Sequence, residues 1–152
     1  MITTEFAAQS IDDLTSICDR IVAQLSPPLI IGLSGDIGSG KTTFVRSFCH
    51  SLNSSDWVNS PTYSIIQRYS SPAFDILHID LYRCANHADI DQLDIPSLIT
   101  PKTIAFIEWI ETTELFTPDI SIQFNVCSDH TRTLRISGTH DWIRSLDNAN
   151  TN

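Results

Sequence analysis

The feature that most constrains the fold of this chain is a glycine-rich turn that joins an apolar stretch to an amphipathic one. Residues 29–33 are apolar and predict a buried strand, while the apolar positions of 44–52 fall on one helical face. The turn between them reads Gly35-Asp36-Ile37-Gly38-Ser39-Gly40-Lys41-Thr42-Thr43. A strand that passes through such a turn into a helix is typical of an α/β domain.

The spacing of the turn is that of a phosphate-binding loop. Glycines adopt backbone angles that a β-carbon forbids, so that successive N–H groups can point inward together. Inward amides at a helix N-terminus attract phosphate, and the helix dipole adds to the attraction. We expect Lys41 to reach the outer phosphates and the Thr42 hydroxyl to ligate Mg²⁺. The predicted nucleotide-binding residues are Asp36, Ile37, Gly38, Ser39, Gly40, Lys41, Thr42 and Thr43.

Two carboxylates follow predicted buried strands further along the chain. Asp80 ends the mostly apolar stretch 74–79, and Glu108 ends the stretch 104–107. A carboxylate at the end of a neighbouring strand is where a second Mg²⁺ determinant is expected, so Asp80 is our candidate, with an ordinary strand-end cap as the alternative. Glu108 can orient an attacking water or hydrogen-bond the water shell of the metal. From the residues alone, a surface glutamate beside a core tryptophan is the simpler explanation of Glu108.

A further candidate is Thr62, in the loop after the predicted helix, within the string Ser60-Pro61-Thr62-Tyr63. Threonines at this position often sense Mg²⁺ and the γ-phosphate in nucleotide hydrolases. β-Branched residues are also common where a strand begins, and the sequence does not separate the two explanations.

The two ends of the chain predict antiparallel structure. Residues 2–7 suit an edge strand, and Ser10 begins a helix with a capping box in which Asp13 takes the place of Glu or Gln. Apolar and polar residues alternate in 120–126 and again in 131–137, which predicts a hairpin added to the parallel core.

Length and charge limit the number of domains and the kind of partner. The chain has 152 residues, and we assign 1–146 to a single domain and 147–152 to a disordered polar tail. The formal net charge is −9. A protein that grips nucleic acid by itself usually carries a basic patch, because affinity comes largely from neutralised phosphates. We therefore expect any role in an RNA pathway to run through a protein partner.

Other compositional features predict a cytoplasmic protein that is not attached to a membrane. No apolar run approaches the ~20 residues that span a bilayer, and the first residues lack the basic start and apolar core of an export signal. The four cysteines form no C-x-x-C pair, and the five histidines show no ligand spacing. We expect reduced thiols and no structural metal.

Four motifs occur in one order: the glycine-rich turn, the Ser60 string, His78-Ile79-Asp80-Leu81-Tyr82-Arg83, and Ile107-Glu108-Trp109. Together they resemble the bacterial TsaE (YjeE) family, the ATPase of tRNA threonylcarbamoyladenosine biosynthesis. The resemblance implies a P-loop NTPase-type three-layer sandwich, with a mainly parallel central sheet and antiparallel additions at its edges. It implies ATP/ADP and Mg²⁺ as cofactors and the proteins TsaD and TsaB as partners, which modify adenosine 37 of tRNAs reading ANN codons. tRNA is then contacted only through that complex.

Carried over by position, the resemblance gives each candidate residue a role. Lys41 and Thr42 become the phosphate and Mg²⁺ residues, and Thr62 becomes the switch threonine. Asp80 becomes the acid on the metal side, and Glu108 becomes the acid linked to hydrolysis and grouped with the metal residues. The implied catalytic set is therefore Lys41, Thr62, Asp80 and Glu108.

The stretch 84–103 departs from the family pattern, so no partner contact is assigned to it. Ala88-Asp89-Ile90 and Asp94 stand where a Glu-Glu-Leu and a glycine are usual, and Ile110 replaces a proline after the Glu-Trp pair. Trp109 accompanies Glu108 in its motif without an assigned contact.

Two other functions stay open: an ATP/ADP-sensing module with little turnover, and a small-molecule kinase. A kinase needs an arginine-rich lid, whereas 84–103 holds one basic residue, Lys102. A GTPase is disfavoured because the chain has no N-K-x-D string to read guanine. The adenine-binding residues are expected either on the N-terminal helix or in the loops of the 130s.

Overall fold

The computed structural model describes residues 1–59, 64–84 and 86–147, and within these ranges seven strands form one sheet. The strands are β1 (Ile2–Ala8), β2 (Leu29–Ser34), β3 (Ile66–Ser70), β4 (Asp75–Asp80), β5 (Thr103–Glu108), β6 (Ile120–Val126) and β7 (Arg132–Gly138). The helices are α1 (Ile11–Val22), α2 (Lys41–Ser51), α3 (His87–Asp91), α4 (Ile95–Leu98) and α5 (Trp142–Ser145), with single 3₁₀ turns at Leu81–Arg83 and Ile110–Thr112.

The sheet has a parallel centre and antiparallel edges. Its strand order is β1-β7-β6-β2-β5-β4-β3. Strands β6, β2, β5 and β4 pair in parallel, while β7 and β1 continue the sheet antiparallel at one edge and β3 does so at the other. The predicted α/β class with a mainly parallel sheet and antiparallel additions is confirmed, and so is the hairpin formed by β6 and β7.

Helices cover both faces of the sheet. On one face, α2 packs Phe44 and Phe48 against Phe106 of β5, with the rings of Phe48 and Phe106 4.9 Å apart and edge to face. On the other face, Ile90 of α3 and Ile95 of α4 join a smaller cluster from β4 and β5. Aromatic pairs of this geometry contribute about 0.5–1.5 kcal/mol beyond their buried area, so α2 is held firmly against the strand that ends in Glu108.

Helix α1 begins as the sequence predicts. The Ser10 hydroxyl accepts from the backbone N–H of Asp13 at 3.1 Å, and the Asp13 carboxylate accepts from the Gln9 N–H at 2.9 Å. The Gln9 N–H lowers the pKa of Asp13 most, because it donates to the charged carboxylate, and the Ser10 side chain lowers it further. Ile11, the first residue of α1, is 58% exposed, since it stands at the first turn and borders a cavity.

The predicted boundary of the tail is not tested by the structure, because residues 148–152 lie outside the described ranges. Asp147, the first residue assigned to the tail, accepts a hydrogen bond from the Thr4 hydroxyl of β1. Across the described part of the chain, no helix combines the length and the apolar character needed to cross a membrane.

Candidate active site

The glycine-rich turn leaves β2 and opens α2 next to open space. Gly38 and Gly40 have φ values of 75° and 110°, in the left-handed region that side chains disfavour. A β-carbon at either position would meet no atom within 4 Å. These glycines are therefore required by the backbone conformation rather than by packing, and the loop borders a cavity instead of filling one.

Lys41 is buried inside the loop at the first turn of α2. Its Nζ donates to the carbonyl oxygens of Gly35 at 2.6 Å and Asp36 at 2.9 Å. Burial lowers the pKa of Lys41, and the nearby carboxylates of Glu108 and other acids oppose that shift. An ammonium group is thus held at the centre of the loop, with neutral carbonyl groups as its partners.

Trp109 covers this ammonium group, a contact that the sequence did not reveal. Nζ of Lys41 lies 4.2 Å from the centroid of the Trp109 ring, in the arrangement of a cation–π contact. The Trp109 ring also contacts the ring of Tyr82, with centroids 5.0 Å apart. Trp109 has a φ of 61°, which is unusual for a large side chain and costs on the order of 1–3 kcal/mol. Strained residues of this kind cluster at functional sites.

Glu108 is buried at the end of β5 and connects two elements. Its Oε1 accepts from the Thr42 hydroxyl at 2.8 Å and lies 2.7 Å from Nε2 of His78. Only 3% of the residue is exposed, so the surface-glutamate explanation is wrong. Strand β5 runs parallel to both β2 and β4, with Glu108 paired to Leu33 and to Asp80. This register brings the two strand-end acids together at the N-terminus of α2.

Asp80 forms the strand-end cap that the sequence offered as an alternative, while its role toward Mg²⁺ stays a prediction. Its Oδ1 accepts from the backbone N–H of Tyr82 at 3.0 Å and so caps the 3₁₀ turn after β4. The same residue lines the cavity in front of Lys41 and Thr42. Burial raises the pKa of Asp80, the Tyr82 N–H counteracts it, and the charge of Glu108 raises it further.

Two of the cavities that border the loop lie beside the N-terminus of α2. The first, of about 390 Å³, is lined by Lys41, Thr42, Asp80, Glu108 and Trp109 and opens beside the exposed side chain of Ile37. The second, of about 320 Å³, is bounded by the start of α1, by the loop and by the turn of the β6–β7 hairpin. The N-terminal helix and the loops of the 130s, which the sequence gave as alternative binding places for adenine, thus both line this second cavity. Gly38, Gly40 and Thr43 border both spaces.

The remaining predicted loop residues contribute backbone or stand at the rim. Asp36 offers its carbonyl oxygen to Lys41 and to the Ser39 N–H, the latter at 3.1 Å. Ser39 is buried, and its hydroxyl has no hydrogen-bond partner within the described residues. Thr62 falls in the stretch 60–63, outside the described residues, so its role as a switch threonine stays a prediction.

The sequence analysis missed His78, which is fully buried against Glu108. The signal was present in the H-x-D string, because residues two apart on a strand face the same side of a sheet. Within the described ranges, no group of three or more His, Cys, Asp or Glu side chains could hold a metal ion. A hydroxyl and two carboxylates still suit Mg²⁺, which keeps several waters and takes further oxygens from phosphate.

Comparison with known proteins places this chain in a family. The family model described as threonylcarbamoyl adenosine biosynthesis protein TsaE matches residues 8–135. The chain belongs to the TsaE family. A TsaE relative, the tRNA threonylcarbamoyladenosine biosynthesis protein of Rickettsia bellii, is 30% identical over 146 residues, which cover 92% of this chain and 99% of that protein. The protein of the same name from Haemophilus influenzae is 32% identical over 98 residues, which cover 64% of this chain and 62% of that relative's length.

A solved structure agrees with this family assignment at the level of the fold. The crystal structure of YdiB from Bacillus subtilis superposes on this chain with a TM-score of 0.73 at 19% identity, and the match covers 97% of this chain and 93% of YdiB. The P-loop NTPase-type fold that the family resemblance implied is therefore confirmed.

Proposed function

We propose that this chain is an Mg²⁺-dependent ATPase that supports the threonylcarbamoyl modification of adenosine 37 in tRNAs reading ANN codons. The observation that carries the proposal is the meeting of Lys41, Thr42, Asp80 and Glu108 around one cavity of about 390 Å³ at the start of α2. The pathway is supported by its relatives, which are named tRNA threonylcarbamoyladenosine biosynthesis proteins. We expect TsaD and TsaB as partners and the cytoplasm as the place of action.

The loop and Lys41 bind the phosphates of ATP and ADP in this proposal. Phosphate oxygens are charged and accept stronger hydrogen bonds than neutral carbonyl groups do. Lys41 therefore exchanges the carbonyl oxygens of Gly35 and Asp36 for phosphate oxygens and remains over the Trp109 ring. The N–H groups at the start of α2 add the field of the helix N-terminus.

Three oxygen-bearing side chains would hold Mg²⁺. The Thr42 hydroxyl donates its hydrogen to Oε1 of Glu108 at 2.8 Å, which leaves the oxygen lone pairs free for a cation. Asp80 lies across the cavity and, with Glu108, accepts hydrogen bonds from the waters that Mg²⁺ retains. The ion, when bound, would supply positive charge to offset the negative charge of the phosphates during phosphoryl transfer.

The cavity of about 320 Å³ on the other side of the loop suits the base and the ribose. Ile11, Leu14 and Leu134 offer apolar surface to a purine ring, and Ser10 and Asp129 line the same space with polar groups. Because this cavity shares Gly38 and Gly40 with the phosphate side, one nucleotide can occupy both.

One observation favours slow turnover by the protein alone, as in the ATP/ADP-sensing alternative. Both functional groups of the loop are already satisfied internally: Lys41 Nζ by two carbonyl oxygens and the Thr42 hydroxyl by Glu108. A nucleotide must replace or extend these contacts before hydrolysis. We therefore expect turnover to depend on partner proteins that stabilise the nucleotide-bound arrangement.

The test is phosphate release from ATP, measured with the protein alone and with a purified TsaD–TsaB complex. We expect the protein alone to release phosphate slowly and the TsaD–TsaB complex to accelerate the release. Thr42→Ala should lose this activity. Thr139→Ala, the matched control at an exposed threonine directly after β7, should retain it. Unchanged release in Thr42→Ala would contradict the proposal. Release that the complex never accelerates supports the sensing module, and a phosphorylated small molecule supports a kinase.

A binding measurement tests the proposed route to tRNA. With 18 acidic against 9 basic residues, the isolated protein is expected to bind tRNA weakly. Tight binding of tRNA by the protein alone would contradict the proposal that TsaD and TsaB mediate the contact.

A further inference from the structure

His78 is a buried histidine on the strand next to one edge of the sheet, and no step above uses it. It lies on β4, two residues before Asp80, and none of its surface is exposed. Nε2 lies 2.7 Å from Oε1 of Glu108, and the ring contacts that of Tyr69, with centroids 6.1 Å apart. Its other nitrogen, Nδ1, is buried without a hydrogen-bond partner in the part of the chain that the structure describes.

The direction of the His78–Glu108 hydrogen bond follows from its partners. Oε1 of Glu108 already accepts from the Thr42 hydroxyl, and a carboxylate offers only acceptors. Nε2 of His78 therefore carries the hydrogen and donates it. His78 of β4 and Thr42 of α2 therefore both donate a hydrogen bond to the same oxygen, Oε1 of Glu108, at the end of β5.

We propose that His78 is a positioning residue of the nucleotide site. Its Nε2–H holds the Glu108 carboxylate in the orientation that accepts the Thr42 hydroxyl, and the fixed hydroxyl directs its lone pairs to Mg²⁺. Without His78, the Glu108 side chain can rotate away from Thr42, because within the described residues its carboxylate accepts hydrogen bonds from His78 and Thr42 alone. This inference rests on the proposed function, since it concerns the same Mg²⁺ site.

A purely structural role for His78 predicts a different behaviour. A histidine that only fills the core affects stability, whatever the ligand. A positioning role instead affects the dependence of nucleotide binding on Mg²⁺, because Lys41 and the loop amides bind ADP phosphates without His78. Partners that orient metal ligands typically change metal affinity by 10–100-fold when they are removed.

The test uses ADP affinity measured by calorimetry over a series of Mg²⁺ concentrations and in EDTA. We compare His78→Leu, which removes the donor, with His78→Gln, whose amide N–H stands near the place of Nε2, and with His78→Asn, whose shorter side chain does not reach Glu108. His87→Gln is the matched control at an exposed histidine. Thermal unfolding of each variant without ligand separates loss of fold from loss of Mg²⁺ binding.

We expect the Mg²⁺ concentration for half-maximal tightening of ADP binding to rise about 10-fold or more in His78→Leu and His78→Asn, with the affinity in EDTA unchanged. His78→Gln and His87→Gln should stay close to the wild-type value. If His78→Leu does not fold, the Gln and Asn variants carry the same comparison. Equal Mg²⁺ dependence in Gln and Asn would overturn the positioning role, as would an equal loss in EDTA. A wild-type protein that binds ADP without any influence of Mg²⁺ refutes the proposed function itself.

Discussion

Replacing Lys41 by methionine removes the ammonium group from the loop while keeping an unbranched apolar side chain that reaches as far as Cε. In the structure Nζ donates to two carbonyl oxygens, at 2.6 and 2.9 Å, and phosphate oxygens would take their place. Hydrogen bonds to charged groups contribute about 1.5–3 kcal/mol each, against about 1 kcal/mol for neutral ones. The exchange of two partners is then worth about 1–4 kcal/mol, so ADP affinity should fall about 5- to 700-fold in Lys41→Met.

The same substitution should leave the nucleotide-free fold nearly as stable as the wild type. It removes two hydrogen bonds to carbonyl oxygens of residues that are half-buried or exposed, where water can replace the donor, and a cation–π contact of about 0.5–2 kcal/mol with Trp109. It also removes a desolvated charge. The methionine sulfur can contact the same ring, which recovers about 0.3–1.5 kcal/mol. We expect a change in the free energy of unfolding of about 1 kcal/mol or less, because these contributions oppose one another.

Calorimetric titration with ADP and urea unfolding measure the two quantities separately. Lys102→Met is the matched control, since Lys102 is exposed and lies at the start of β5, away from the cavity. An ADP affinity in Lys41→Met within threefold of the Lys102→Met value would refute the assignment of Lys41 to the phosphates. Loss of folding in Lys41→Met would instead show that the lysine serves the structure of the loop.

Two further predictions concern the neighbouring strand end and the core. Glu108→Gln keeps the shape of the side chain but removes its charge. ATP turnover should therefore fall about 10-fold or more, while ADP affinity measured in EDTA changes little. Equal losses in steady-state turnover and in ADP binding would argue against a role of Glu108 on the metal side. Burial, with the charge of Asp56, raises the pKa of the Cys49 thiol to about 12 from 9.0. Because the folded state holds this proton more tightly, the stability it contributes is present below pH 9 and is lost as pH rises towards 12. Urea unfolding at pH 8 to 10.5 should therefore show a shallower loss of stability in Cys49→Ala than in the wild type, and parallel curves would contradict the buried thiol.

Much of the local structure could be predicted because its causes are local. The glycine spacing, the apolar stretch before it and the amphipathic stretch after it lie within 29–52 and require no knowledge of the rest of the chain. The capping box at Ser10 likewise depends on residues four positions apart at most. Alternation in 120–126 and 131–137 predicted a hairpin because β6 and β7 are consecutive in the chain and antiparallel.

The arrangement around Glu108 could not be predicted from local patterns. Periodicity tells which residues share a face of a strand, but it does not tell which strands are neighbours. Strand β5 follows β4 in the chain and yet lies between β4 and β2. That insertion brings Glu108 next to Thr42 and His78, and it explains why a residue that looked like a surface glutamate is buried. The contact between Trp109 and Lys41 has the same origin, because Trp109 is the residue directly after β5 and β5 ends beside the loop.

The amino-acid order by itself determined that a glycine-rich turn opens a helix, that acids end two buried strands, and that the domain is α/β. Those properties arise from backbone angles, side-chain periodicity and turn chemistry over a few neighbouring residues. The fold added the hydrogen bonds from His78 and Thr42 to Glu108 and joined the start of α1 to the β6–β7 turn in one cavity. The two hydrogen bonds to Glu108 join residues 30 or more positions apart, and such pairs are set by the packing of the whole sheet rather than by any single stretch.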